Sequence, residues 1–234
     1  MLFIFDLDDT IYDYMDPFKK TVSQLLGIED PAACWNLYQS YRRFSDQVFP
    51  MSQAKTISLE QAGYLRSELM VKHHGIDLDA RGIREFHETY RQNQQKIQIQ
   101  PVVKEILTKL KDSNHKIAII TNGPGSHQAR KIAQLNLEEY VDPGNIFISG
   151  YYGFDKPDHR IFDIAINRLR PKNEAVYYIG DNYHADVIGA KNAGLLSIWL
   201  KIRDFQVDDT TIKPDYTVES YEQLETLIEA LIGG

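Results

Sequence analysis

Short apolar runs recur along the chain at 2–5, 116–120, 145–148, 175–179 and 196–200, and most carry no alternating polar positions. A strand with one wet face alternates, whereas a strand covered on both faces does not. These runs therefore predict buried strands of a parallel sheet. Between them, apolar residues return at helical spacing. In 101–111, Val102, Val103, Ile106, Leu107 and Leu110 fall on one stripe, as a helix with one face on a core requires. Segments 126–135, 159–169, 186–193 and 221–231 also read as helices. Gly194 stands where the 186–193 helix should end in a left-handed cap. Strands alternating with helices predict a doubly wound α/β core.

The stretch from Asp16 to Lys96 breaks this rhythm and has no convincing strand run. Asp16-Pro17 and Asp30-Pro31 each join an N-cap residue type to a first-turn proline. Ser58-Leu59-Glu60-Gln61 fits a capping box. Gly27 and Gly75 sit where helices should stop. The pattern predicts four helices, at 17–26, 31–45, 58–74 and 79–95. The chain then divides into a core of 1–13 and 98–234 and a helical insert of 14–97. Trp35, Tyr38, Tyr41 and Phe44 follow helical spacing and read as core rather than as a base-stacking platform. Cys34, in the apolar run Ala32-Ala33-Cys34-Trp35, reads as core rather than as a nucleophile.

Apolar residues make up 43% of the 234, ample for a packed core, and the formal net charge is −7. An acidic balance without a basic stripe argues against a nucleic-acid backbone as main partner. Arg42-Arg43 and Lys19-Lys20 are isolated doublets, either solvated or meeting a substrate anion. No segment has enough consecutive apolar residues to span a bilayer. One cysteine permits no internal disulfide, and no secretory pattern of basic then apolar residues is seen. The expectation is a soluble, cytoplasmic protein that engages neither membrane nor nucleic acid.

Four polar segments follow β-type runs or lie in the loops after them. They are Asp6-Leu7-Asp8-Asp9-Thr10, Thr121-Asn122-Gly123, Asp155-Lys156-Pro157-Asp158 and Gly180-Asp181-Asn182-Tyr183-His184-Ala185-Asp186. In a parallel sheet the carboxyl ends of the strands share one edge, so the segments converge on one crevice. In an extended chain side chains two apart point the same way, so Asp6 and Asp8 are expected to face that site. Clustered carboxylates suit a hard cation such as Mg2+. An ammonium, a hydroxyl and loop amides suit a phosphate. Alone, each segment has a plainer reading: a strand-end turn at Asp6 and Asp8, an ordinary turn at Thr121, a surface lysine, a helix N-cap at Asp186. His184, between acidic residues, is not taken as a metal ligand, because imidazole suits softer metals.

Taken together, the four segments, with a helical insert between the first and second, resemble the haloacid dehalogenase-like hydrolase superfamily. The likeness is to its phosphatase branch with a type 1 helical cap. It runs on through Pro214-Asp215-Tyr216-Thr217-Val218 and the last helix. It implies an α/β, Rossmann-like, three-layer parallel-sheet core with 14–97 as a cap domain, and Mg2+ as cofactor. It implies Asp6 as a nucleophile that forms an aspartyl-phosphate. Asp8 would protonate the leaving oxygen and then activate water. Thr121, Asn122 and Lys156 would bind the transferring phosphoryl group. Asp6, Asp181 and the main-chain carbonyl of Asp8 would ligate the metal, with Asp186 supporting. The dehalogenases that name the superfamily use no metal and lack the second aspartate, so Asp8 and Asp181 favour phosphoryl transfer.

The expected substrate is a small phosphomonoester. Thr121-Asn122-Gly123-Pro124 and Asp181-Asn182 look similar to the nucleotidase-like and sugar-phosphatase branches, and a nucleoside 5′-monophosphate is the narrower expectation. Arg42, Arg43, Lys55 and Arg84 are candidate cap contacts. Two alternatives stay open: a phosphomutase with the same site, and a phosphate- or metal-binding regulatory module without turnover.

Overall fold

The apolar runs form strands, and their lack of alternation matches their burial. β1 (Leu2–Phe5) is buried at all four positions. It is followed by β2 (Lys116–Thr121), β3 (Ile146–Ile148), β4 (Val176–Gly180), β5 (Leu196–Leu200) and β6 (Tyr216–Val218). The computed structural model describes residues 1–172, 174–203 and 211–233. Among these, six strands pair in the order β3-β2-β1-β4-β5-β6, all parallel. β1 lies at the centre, with Ile4 opposite Ala118 on one side and Tyr178 on the other. The chain winds outward in both directions from β1. That reversal of strand order opens a crevice at the carboxyl ends of the central strands.

Parallel pairing needs crossovers, supplied here by helices. They include α5 (Pro101–Asp112), α6 (Gly125–Gln134), the short α7 (Ser149–Tyr152), α8 (His159–Leu169) and α9 (Gly189–Asn192), while α10 (Tyr221–Gly233) follows the last strand. One core cluster joins Leu2, Ile4, Ala118, Ile120 and Phe147 to Ile161, Phe162 and Ala165 of α8. Each fully buried large side chain contributes roughly 1.5–3 kcal/mol by leaving water. Together with 1–13, residues 98–234 make one of two compact units.

The other unit, Tyr14–Ile97, holds α1 (Asp16–Leu26), α2 (Pro31–Gln53), α3 (Leu59–His73) and α4 (Ala80–Gln94). Asp30 caps α2 by accepting from the Ala33 N–H at 2.7 Å, and Ser58 and Gln61 form the expected capping box on α3. Phe18 is at the centre of an aromatic core, with its ring 5.0 Å from Tyr41, 5.5 Å from Tyr38 and 6.0 Å from Phe86. Cys34 is buried in that core, and Trp35 and Phe44 pack against it. Gly63 lets α3 approach α4: a Cβ there would lie 2.0 Å from the His87 ring. His87 is buried, and neither ring nitrogen has a hydrogen-bond partner among the described residues. Burial, with Arg66 and Arg91 nearby, pushes its pKa down to about 4.

The structure departs from the sequence pattern at four places. α2 continues to Gln53, through Pro50, where the pattern stops at 45. Its last turns are mostly exposed, so no apolar stripe marks them, and the helix runs on past the lost Pro50 N–H. Asp16 is the first residue of α1 rather than its cap, and its carboxylate takes Lys20 Nζ at 2.6 Å. The 186–193 helix begins earlier, as a π-turn over Tyr183–Ile188 that leads into α9. β6 is a sixth strand, three residues long and largely exposed, too short and polar to register as an apolar run. Among the described residues no helix is long and apolar enough to cross a membrane.

Candidate active site

Asp6 follows directly on β1 and donates its main-chain N–H to Ile179 O of β4 at 2.8 Å. This bond holds its carboxylate at the carboxyl ends of the two central strands. Lys156 reaches the same point from the loop before α8. Its Nζ donates to Asp6 Oδ1 at 2.6 Å, Asp186 Oδ1 at 2.7 Å and the Tyr178 hydroxyl at 2.7 Å. Asn122 holds the lysine's backbone: its Oδ1 accepts the Lys156 N–H at 2.8 Å, and its Nδ2 donates to Lys156 O at 2.9 Å. The Asn122 side chain is thus engaged by the lysine loop, which positions the ammonium.

Asp186 lies inside the π-turn, whose cap is Asn182, accepting from the Ala185 N–H at 2.9 Å. Such insertions are often found at functional sites. The turn brings the Asp186 carboxylate back over the end of β4, where the Asn182 N–H donates to Oδ2 at 2.9 Å. Gly180 makes the space, because a Cβ there would sit 2.3 Å from that oxygen. Asp181 is half-buried, and its main-chain oxygen accepts Trp199 Nε1–H at 2.9 Å. Carboxylate oxygens of Asp6, Asp181 and Asp186 all lie within 4.8 Å of one another.

Burial pushes the Asp6 carboxyl upward; Lys156 pulls it back, but Asp186 and Asp8 push it up again, and it rests well above the carboxylate range. Burial also disfavours the Lys156 ammonium, yet Asp186 and Asp6 outweigh it and hold its pKa above the usual lysine value. One ammonium therefore stands against more negative charge than it offsets. An all-oxygen, largely buried donor set with surplus negative charge fits a small hard divalent cation.

Asp8 lies past the end of the strand. β1 ends at Phe5, and by Asp8 the chain is already turning: Asp8 bridges to Tyr12, and Asp9 has a left-handed φ of 57°. The two-residue alternation of an extended strand no longer applies there. The Asp8 carboxylate is held by Lys131 Nζ at 2.7 and 2.9 Å, Gln128 Nε2 at 3.1 Å and the Tyr12 hydroxyl at 2.5 Å. Burial opposes its charge, but the Lys131 ammonium and the other two donors, Tyr12 and Gln128, prevail and hold its pKa below the ordinary value. Gln128 Nε2 also lies 2.6 Å from Thr121 Oγ1 and 3.0 Å from Asn122 O, so its two N–H groups are shared among three acceptors. Because Thr121 accepts from Gln128, its own hydroxyl hydrogen is directed elsewhere. Asp9 is taken up by Arg203 Nη2 at 2.7 Å. His184 is exposed.

Tyr178, Gly180, Gln128 and Lys131 were not among the expected site residues. The sequence pattern flags none of them: the burial of the polar Gln128 and Lys131 side chains on α6 emerges only in the fold. In the helical unit, Arg42 lies 4.8 Å from the Tyr14 ring centre, and Arg43 Nη2 is 3.3 Å from His73 Nε2. Lys55 and Arg84 are exposed.

The glyceraldehyde 3-phosphate phosphatase of Pyrococcus furiosus is 30% identical over 131 residues, 55% of this chain and 54% of that protein. The pyrimidine 5′-nucleotidase of Escherichia coli is 35% identical over 116 residues, 49% of this chain and 50% of that protein. The chain thus spans about half the length of each of these relatives. A pyrimidine 5′-nucleotidase of Streptococcus pneumoniae is 26% identical over 229 residues, 94% of this chain and 92% of that one. Among solved structures, a dehalogenase shares the fold with a TM-score of 0.72 at 17% identity, over 97% of this chain and 96% of that one. Residues 1–194, which carry all four polar segments, match the haloacid dehalogenase-like hydrolases, and the chain belongs to that family.

Proposed function

We propose that this protein is a Mg2+-dependent phosphatase that hydrolyses a small phosphomonoester through an aspartyl-phosphate on Asp6. The observation that carries this reading is the meeting of Asp6, Lys156, Asp181 and Asp186 at one edge of the sheet. Asp6, Asp181 and Asp186 would hold the cation, with the main-chain carbonyl of Asp8 in the same expected set. Bound there, Mg2+ would offset the charge that otherwise keeps a carboxylate and a phosphate apart.

In the first half, an Asp6 carboxylate oxygen attacks phosphorus. The phosphorus bond to the leaving oxygen breaks, and that oxygen keeps the electron pair and takes a proton from Asp8. In the second half, water attacks phosphorus and gives a proton to Asp8. The bond to Asp6 then breaks, and its electron pair returns to the carboxylate. Lys156 faces negative charge throughout and stabilises it in a nearly dry site. The Thr121 hydroxyl donates to a phosphoryl oxygen. Asp8 must be protonated to serve as acid. Negative charge arriving with the phosphate favours that form against the pull of Lys131.

The helical unit is assigned the role of substrate-selecting cap, with Arg42, Arg43, Lys55 and Arg84 as its cationic candidates. A nucleoside 5′-monophosphate is the narrower substrate reading. It is supported by the likeness to two pyrimidine 5′-nucleotidases. Phosphate release from a panel of phosphorylated metabolites tests both levels. Asp6→Asn should lower turnover about a thousandfold or more with the fold intact. A variant that kept over a tenth of the parent rate, or hydrolysis indifferent to a chelator, would refute the reading.

A further inference from the structure

The reaction above gives no part to the buried cation beside Asp8. Lys131 is 7% exposed, and its ammonium spans both oxygens of the Asp8 carboxylate. Gln128 lies one turn earlier on the same face of α6, where side chains three apart are neighbours. Its amide reaches Asp8 Oδ2 and Thr121 Oγ1 together. Its three oxygen neighbours fix which end of the amide faces them. With Tyr12 on Oδ1, each Asp8 oxygen accepts twice. A carboxylate offers about four lone-pair directions, so its plane and rotation are defined.

We propose that Lys131 is a positioning residue: working with Gln128, it fixes the Asp8 carboxylate relative to Thr121, so that α6 holds the proton-transfer group and the phosphate-binding hydroxyl as one unit. This rests on the phosphatase reading. The geometry favours a positioning role over a direct contact with substrate, because the ammonium lies across the carboxylate itself. Lys131 then acts on the reaction only through Asp8.

The test is kcat/KM, which reports the first phosphoryl transfer, with phenyl phosphate and p-nitrophenyl phosphate. Lys131→Met should lose about tenfold or more with phenyl phosphate, as small misplacements of a reacting group do. The loss should be several-fold smaller with p-nitrophenyl phosphate, whose leaving oxygen needs little protonation. Lys131→Arg should recover most of it. In an Asp8→Asn background, Lys131→Met should add nothing beyond about twofold, since effects carried by one group do not multiply. If Lys131→Met does not fold, Lys131→Gln takes its place in the same cycle.

Equal losses on both substrates, or a loss that multiplies with that of Asp8→Asn, overturn the proposal. Asp6→Asn is measured alongside. If it is inert and the Lys131 losses multiply, the positioning role alone falls. If it stays active, the phosphatase mechanism falls and takes the positioning role with it.

Discussion

Gly180→Ala puts a number on how tightly the site is packed. A Cβ at this position would lie 2.3 Å from Asp186 Oδ2, 2.4 Å from its Cγ and 2.7 Å from its Cβ. Real Cβ atoms stay beyond 3.0 Å, so the carboxylate must retreat by at least the difference, 0.7 Å. It has little freedom to do so, held by Lys156 at 2.7 Å, the Asn182 N–H at 2.9 Å and the Tyr178 hydroxyl at 3.1 Å. A shift of that size takes at least one of these beyond bonding range, and a bond to a charged group contributes about 1.5–3 kcal/mol. Reduced freedom of the unfolded chain returns about 0.4–1 kcal/mol. The net expectation is a loss of about 0.5–2.6 kcal/mol, or a melting point lower by about 1–10 °C for a chain of this size. On the proposed mechanism, phosphate release should fall about tenfold or more, because Asp186 no longer meets Lys156 and Asp6. Urea denaturation and phosphate release read the two effects. The decisive control is the same substitution in an Asp186→Gly background, which removes all three atoms that the Cβ would meet. With the clash removed, Gly180→Ala should be neutral or mildly stabilising. A Gly180→Ala protein with parent stability and turnover, or one equally damaged in both backgrounds, would refute the reasoning.

Two further outcomes are expected. Lys156→Met leaves the buried Asp6 and Asp186 carboxylates without their ammonium, and should destabilise by about 3–5 kcal/mol; thermal melts should show part of the loss regained on adding Mg2+, and a variant as stable as the parent would contradict the buried ion cluster. His87 is held at about 4, below the ordinary histidine value of 6.5. The unfolded chain therefore takes up that proton first, and the stability associated with neutral His87 is present above 6.5 and is lost as the pH falls toward 4. Urea midpoints at pH 7 and pH 5 should fall less in His87→Met than in the parent; equal drops would remove His87 as the cause.

Much of the core was legible because burial on both faces leaves a plain mark: β1 and β5 fall where their apolar runs lie. Caps at Asp30 and Ser58 were legible because their chemistry is local. What escaped depends on non-local geometry. Asp8 follows a turn that the strand rule does not foresee, and the hold of Lys131 and Gln128 of α6 on its carboxylate appears only in the fold. Lys131 and Gln128 look like ordinary surface residues of a helix until α6 is placed beside that turn. Gly180 carries no side chain to flag it, and its importance exists only once Asp186 has folded back over it.

The central place of β1 in the sheet has a consequence for biosynthesis. Its two neighbours are encoded at Lys116 and Val176, so this apolar tetrapeptide leaves the ribosome long before anything can flank it. At about 5–20 residues per second the wait for β4 is roughly 9–35 s. The helices of Tyr14–Ile97 are complete well within that interval. A nascent chain therefore carries the whole helical segment and an unpaired first strand, and Asp6 cannot meet Lys156 and Asp186 until Asp186 itself has been translated.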